Sequence, residues 1–226
     1  MNEFLSSPFF GVVLSVGMYA IGVWINRKTK SPIANPLMIA IILVIVVLEV
    51  FHIPLEVYNQ GGDFISFFLV PATASLALAI YRQLWLLKKN LVPVLVGCAA
   101  GSLASMGSVY GLCRLFHVEE VMTYSLLPKS VTTPIAMDLS TQLGGTPSIT
   151  VAAVVITGII GAIAAPGMIR LFRIKNPVAS GVAIGTCSHA LGTTKALEIG
   201  EVEGAMSGLA IGVAGILTVI FAMVIG

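Results

Sequence analysis

A lysine stands inside an apolar stretch at Leu127-Pro128-Lys129-Ser130-Val131-Thr132-Thr133-Pro134-Ile135-Ala136. An ammonium in such a place is costly unless it meets water, a partner or a ligand. Pro128 and Pro134 each lack a backbone N–H and disfavour helix before them, so Lys129 to Thr133 are expected outside helical geometry. That gathers one ammonium, the hydroxyls of Ser130, Thr132 and Thr133, and a helix N-terminus near Pro134. Together they suit an anionic group such as a carboxylate. The plainer reading is that Lys129 snorkels to an interface while the hydroxyls cap a helix. Asp138 has three placements open to it: paired with Lys129, on the cavity wall, or near the external surface.

A second polar interruption is Gly185-Thr186-Cys187-Ser188-His189-Ala190-Leu191-Gly192-Thr193-Thr194. Its imidazole, at His189, could exchange protons or donate to a carboxylate, with Ser188 and Thr193 as further donors and Gly192 loosening the backbone. The plainer reading is a neutral His bonded to a backbone carbonyl. Ser188 and His189 are no catalytic dyad, because adjacent helical residues diverge by about 100° and no orienting third group is visible. No nucleophile, base and orienter stand at workable spacing, so the expected activity is not enzymatic. Glu203 opens the last apolar segment, where an acid favours the helix dipole. A role in the site would require it to face residues 177–199. Pro71, ahead of Thr73 and Ser75, is expected to kink the third segment.

These residues need elements to hold them, and composition says which. Hydrophobic residues make up 57% of the 226, charged residues only 10%, and mean hydropathy is +1.01. That excludes an ordinary soluble domain. Apolar runs fall at 8–26, 36–54, 64–87, 91–116, 120–143, 148–172, 177–199 and 203–226. They are continuous rather than alternating, which points to helices rather than barrel strands. The expected fold is therefore all-α: one polytopic membrane domain over 1–226, with about six to eight membrane segments. A net charge of +2 distributed over loops gives no nucleic-acid surface.

Basic residues at Arg27 to Lys30, and at Arg82, Lys88 and Lys89, mark the first and third connections as cytoplasmic, with the N-terminus outside. Glu56 and Asp63, then Glu119 and Glu120, mark the second and fourth as external. A full crossing by 120–143 would then put Arg170, Arg173 and Lys175 outside. A re-entrant hairpin with its tip at Pro128 to Pro134 removes the conflict, and 177–199 is read as a second, with its tip near Ser188 to Thr194. A full but broken span over 177–199 is the other reading.

Two internal likenesses suggest duplication. Asn26-Arg27-Lys28 through Asn35-Pro36 is like Arg170-Leu171-Phe172-Arg173 through Asn176-Pro177, and Pro71 to Phe116 is like Pro128 to Phe172. They imply different repeat boundaries, and an inverted repeat is one outcome. Cys98, Cys113 and Cys187 read as small buried apolar residues, and no Cys and His set has metal-ligand spacing. No cofactor is expected. Gly204, Gly208, Gly212 and Gly215 permit close helix contacts, within one subunit or in a homo-oligomer such as a dimer.

The Pro-Lys-Ser motif, the Gly185 to Thr193 motif, Glu203-Gly204-Ala205, Asn35-Pro36-Leu37 and Pro71 together resemble the LrgB/CidB family over nearly the whole chain. That family includes the YohK-type inner-membrane proteins and the C-terminal half of the plastid glycolate/glycerate translocator. The resemblance implies two functions: carriage of small monocarboxylates such as glycolate, glycerate, pyruvate or lactate, or antiholin-like regulation of murein hydrolase activity and autolysis. It also implies a bacterial inner membrane and an LrgA/CidA-type membrane partner. A carrier accounts for the lone Lys129 and both interrupted segments with one site.

Overall fold

The computed structural model describes residues 7–29, 34–68, 71, 74, 81 and 84–225. Every regular element among them is an α-helix. Four helices are long and apolar enough to cross a membrane: Phe9–Thr29, Leu91–Leu115, Pro147–Leu171 and Glu201–Val224. The all-α, polytopic expectation holds. Outward faces are apolar too, with Val96 62%, Ile160 59% and Val224 83% exposed, as a hydrocarbon solvent requires. The chain divides into two compact units, Met1–Ala72 and Thr73–Gly226.

In the first unit, α1 (Pro8–Thr29) and α2 (Pro36–Val50) are joined through Asn26, whose Nδ2 donates to the Ala34 carbonyl at 2.8 Å. Asn35 caps α2, accepting from the Leu37 and Met38 amides at 2.9 and 3.3 Å, with Pro36 in the first turn. A third helix, α3 (Leu55–Phe67), covers residues that the charge pattern assigned to an external connection. Pro54 sets its entry, Glu56 favours its first turn, and Tyr58 Oη meets Ser15 Oγ at 2.9 Å. Half of the predicted segment 64–87, including Thr73 and Ser75, lies outside the described residues, and Pro71 itself is helical and exposed.

The second unit holds α4 (Leu84–Lys89), α5 (Leu91–Leu115), α6 (Glu120–Leu126), α7 (Thr133–Gln142), α8 (Pro147–Leu171), α9 (Pro177–Ile199) and α10 (Glu201–Ile225). Helices α5 and α10 run parallel: Val94 and Cys98 pack with Met206 to Ala214, and Met106, Val109 and Cys113 with Ala222. Helix α8 runs the opposite way, meeting α7 through Thr150 at one end and α9 through Ala165 at the other.

Between these long helices the chain twice turns back. After α6 and α7, the Thr146 amide donates to Ser125 Oγ at 2.7 Å, so the chain has returned to α6 over 21 residues. Continued helix would have separated those residues by about 30 Å. Within α9, His189 leaves helical geometry at φ 41°, ψ −140°. Before it, Gly181 abuts Glu203 and Gly185 abuts Ser207; after it, Thr193 meets Ser207 and Leu197 meets Gly204. The first half thus runs along α10 and the second half runs back. Residues 120–146 and 177–199 are therefore two hairpins, entered from opposite ends of the unit.

Helices α5 and α8 extend one of the two internal likenesses. Helices α5 and α8 both have 25 residues, end in Arg-Leu, and take Phe as C-cap. Each is followed by a left-handed residue, His117 at φ 53° or Arg173 at φ 52°. The next amides close the turn: Val118 to the Cys113 carbonyl at 2.8 Å and Ile174 to the Ile169 carbonyl at 3.0 Å. Helix plus hairpin, 91–142, is repeated upside down as 147–199. This is the register of the Pro71 to Phe116 and Pro128 to Phe172 likeness, not of the Asn-Pro one. In α10, Gly204 packs on Leu197 and Gly215 on Ile135, both within the chain, whereas Gly208 faces open space.

Candidate functional site

The tip of the first hairpin is the non-helical run 127–132, between α6 and α7. Pro128 is fully buried there, and Pro134 falls inside the first turn of α7, where a missing amide does no harm. The expected break therefore closes slightly before Pro134, at Thr132. Lys129 is half-buried, and its Nζ reaches Ser130 Oγ at 3.5 Å. Among the described residues no carboxylate lies within salt-bridge distance of it. Asp138 is exposed and makes no ion pair with Lys129, which removes the pairing and leaves the cavity wall and the external surface.

Ser130 is buried and shares a 2.7 Å hydrogen bond with Ser105 of α5, which ties the tip to the neighbouring helix. Thr133 opens α7 half-buried. Thr132 stands in the N-cap position at φ −64°, ψ 148°, yet no side chain caps this helix. Its Oγ1 is buried and has no hydrogen-bond partner. The start of α7 thus keeps its unsatisfied amides beside a lysine without a counterion, the arrangement that anions seek.

The second tip is built differently. The break is confined to His189, tighter than the expected Ser188 to Thr194. Its Nε2 lies 3.0 Å from the Val154 carbonyl of α8, and its ring rests against Gly158. Ser188 rests against Gly161, and Gly192 against Ser188 and Ile184, so small residues bring both arms and α8 together. Thr193 Oγ1 donates to the His189 carbonyl at 3.1 Å and meets Ser207 Oγ at 2.7 Å. Glu203 is at the base of this hairpin, its backbone against Gly181 and its carboxylate against Gly200, away from either tip.

The two tips converge on α8. Val154 packs with Val131 and Ala136 of the first hairpin, and its carbonyl accepts from the imidazole Nε2–H of the second. Cys187 lies on α9 two residues before the break at His189. Its thiol is exposed, correcting the buried reading that Cys98 and Cys113 do satisfy. Lys129, Ser130 and Thr132 are gathered on the first tip and Ser188 and His189 on the second, with Glu203 apart from both. Ser105, Ser207 and the Val154 carbonyl were not foreseen, since nothing in the sequence says which helical serine or carbonyl faces a hairpin.

A family model described as the LrgB-like family matches residues 15–226. The chain is 38% identical over 219 residues to the antiholin-like protein LrgB of Bacillus subtilis (strain 168), covering 96% of this chain and 95% of the relative. It is 39% identical over 215 residues to the protein of the same name from Bacillus mycoides (strain KBAB4), covering 95% and 94%. No solved structure matches the chain.

Proposed function

The chain belongs to the LrgB-like family, and we propose that it binds a small monocarboxylate between its two hairpin tips and carries it across the membrane. The observation that carries this reading is Lys129 itself, half-buried at a hairpin tip, without a carboxylate partner, beside the uncapped start of α7. A carboxylate there would be held by the ammonium and by free backbone amides, in surroundings that strengthen both. Broken helices meeting between oppositely directed repeats supply two arms that could open the site to either side in turn. The substrates that fit are glycolate, glycerate, pyruvate and lactate. Nothing in this reading needs a cofactor or a catalytic step.

A second reading is favoured by the name that the relatives carry, antiholin-like protein LrgB. In it, the chain regulates murein hydrolase export and autolysis together with an LrgA/CidA-type membrane partner, and self-association of the chain would belong to the same assembly. The two are separated by uptake of labelled glycolate, pyruvate or lactate into proteoliposomes containing this chain alone. Uptake that Lys129→Ala abolishes supports the carrier. No uptake of any of them, with autolysis phenotypes intact in cells, sinks the carrier and leaves the regulator.

Orientation follows from charge. Lys88, Lys89, Arg170, Arg173 and Lys175 share the end of the second unit from which the second hairpin enters. By the positive-inside rule that end faces the cytoplasm of a bacterial inner membrane. Arg27 and Lys28 at the end of α1 put the N-terminus outside by the same rule.

A further inference from the structure

We propose that Thr132 is the group that selects carboxylates carrying a second oxygen on the carbon next to the carboxylate, an inference that rests on the carboxylate-carrier reading above. Thr132 is only 5% exposed, and its Oγ1 is the buried side-chain polar atom left without a hydrogen bond among the described residues. A buried hydroxyl in that condition lowers stability, so a partner at this place is strongly favoured.

The local chain accounts for the vacancy. An N-cap threonine ordinarily accepts from the amide two or three residues on. Here the residue two positions on is Pro134, which has no amide, and Thr132 makes no capping bond to the one after it. Nearby side chains offer nothing in exchange, because Val131, Ile135, Ala136 and Val154 form an apolar cluster around this turn. The neighbouring Ser130 hydroxyl is already engaged with Ser105.

Lys129 and the free amides at the start of α7 take the carboxylate, and the Thr132 hydroxyl takes the adjacent oxygen. As both donor and acceptor it serves a 2-hydroxy group or a 2-oxo group equally well. Simple acids such as acetate or propionate leave it unpaired. A site built to bond a substrate oxygen rejects the analogue lacking it more strongly than an apolar site rejects an added hydroxyl. The hydroxyl is sealed from solvent in this conformation, so the ligand reaches it when the turn 127–132 shifts from its packing on Val154.

The test is competition for labelled lactate binding to the full chain in lipid nanodiscs, using unlabelled lactate, pyruvate and propionate. Wild type should prefer lactate and pyruvate over propionate by about tenfold, the size of one neutral hydrogen bond. Thr132→Val, close to Thr in shape, should bring the three acids to within about twofold while propionate binding is retained, and Thr132→Ser should restore the preference. Should Thr132→Val misfold, the serine variant and Thr132→Ala are compared by the same preference ratio. An unchanged ratio in folded Thr132→Val overturns the inference and leaves the carrier reading standing. Absence of binding of any acid by wild type overturns both.

Discussion

The two hairpins occupy equivalent places in the repeat, yet one is opened by proline and the other by a single strained histidine. In the first, Pro128 and the α7 proline force a six-residue turn, 127–132, that leaves Lys129, Thr132 and the amides of α7 with bonding capacity to spare. In the second, the chain reverses at His189, where the imidazole bonds Val154, Thr193 bonds Ser207, and Ser188 packs on Gly161. Glycines of α8 receive its tip. A tip with unused donors is suited to a ligand. A tip held by its ring and by Thr193, and resting on bare backbone, is suited to moving as a body.

The sharpest way to break this comparison is Lys129→Ala. Loss of a desolvated charge contact of about 2 kcal/mol or more predicts at least about a thirtyfold fall in carboxylate uptake, with the thermal melt of the detergent-purified protein unchanged. Retained uptake would move the ligand away from the first tip. The second tip should instead respond to crowding. Gly161→Val places methyls into Ser188 and should destabilise the fold by about 1–3 kcal/mol, whereas Gly107→Val on α5, where a Cβ meets nothing within 4 Å, escapes that packing penalty. Equal melting shifts for the two variants would mean that the second hairpin is not held by that contact.

A smaller effect concerns how the first tip is anchored. A double-mutant cycle on Ser105→Ala and Ser130→Ala should give a coupling of about 1 kcal/mol in stability, and additivity would show the 2.7 Å bond to be idle. Smallest of all is Asp138→Asn. As an exposed residue unpaired with Lys129 it should alter stability by less than about 0.5 kcal/mol and leave uptake unchanged. A large loss of uptake would restore Asp138 to the site.

What could be read in advance follows the same contrast. The first break was legible because proline acts on its own backbone whatever surrounds it. Its reversal was legible too, since a full crossing would have misplaced Arg170, Arg173 and Lys175. The second break could be placed only within a small-residue stretch, because His189 has no intrinsic tendency to left-handed geometry strong enough to announce itself. Helix α3 was read as a connection because a short helix carrying Glu56 and Asp63 has the composition of a loop. Ser105 and Ser207 were invisible for a further reason: whether a helical serine bonds its own turn or a neighbour depends on packing that only the folded chain defines.

The pairing of one crossing helix with one hairpin that does not cross has a consequence in simple counting. A segment made this way begins on one side of the bilayer and ends on the other, so a copy joined directly after it must be inserted in the opposite sense. No linker helix is needed to turn it over. The joint between the two copies, residues 143–146, agrees with this in being only four residues long. Tandem doubling of such a segment yields opposed halves by parity alone, and a third copy in tandem would face the way of the first.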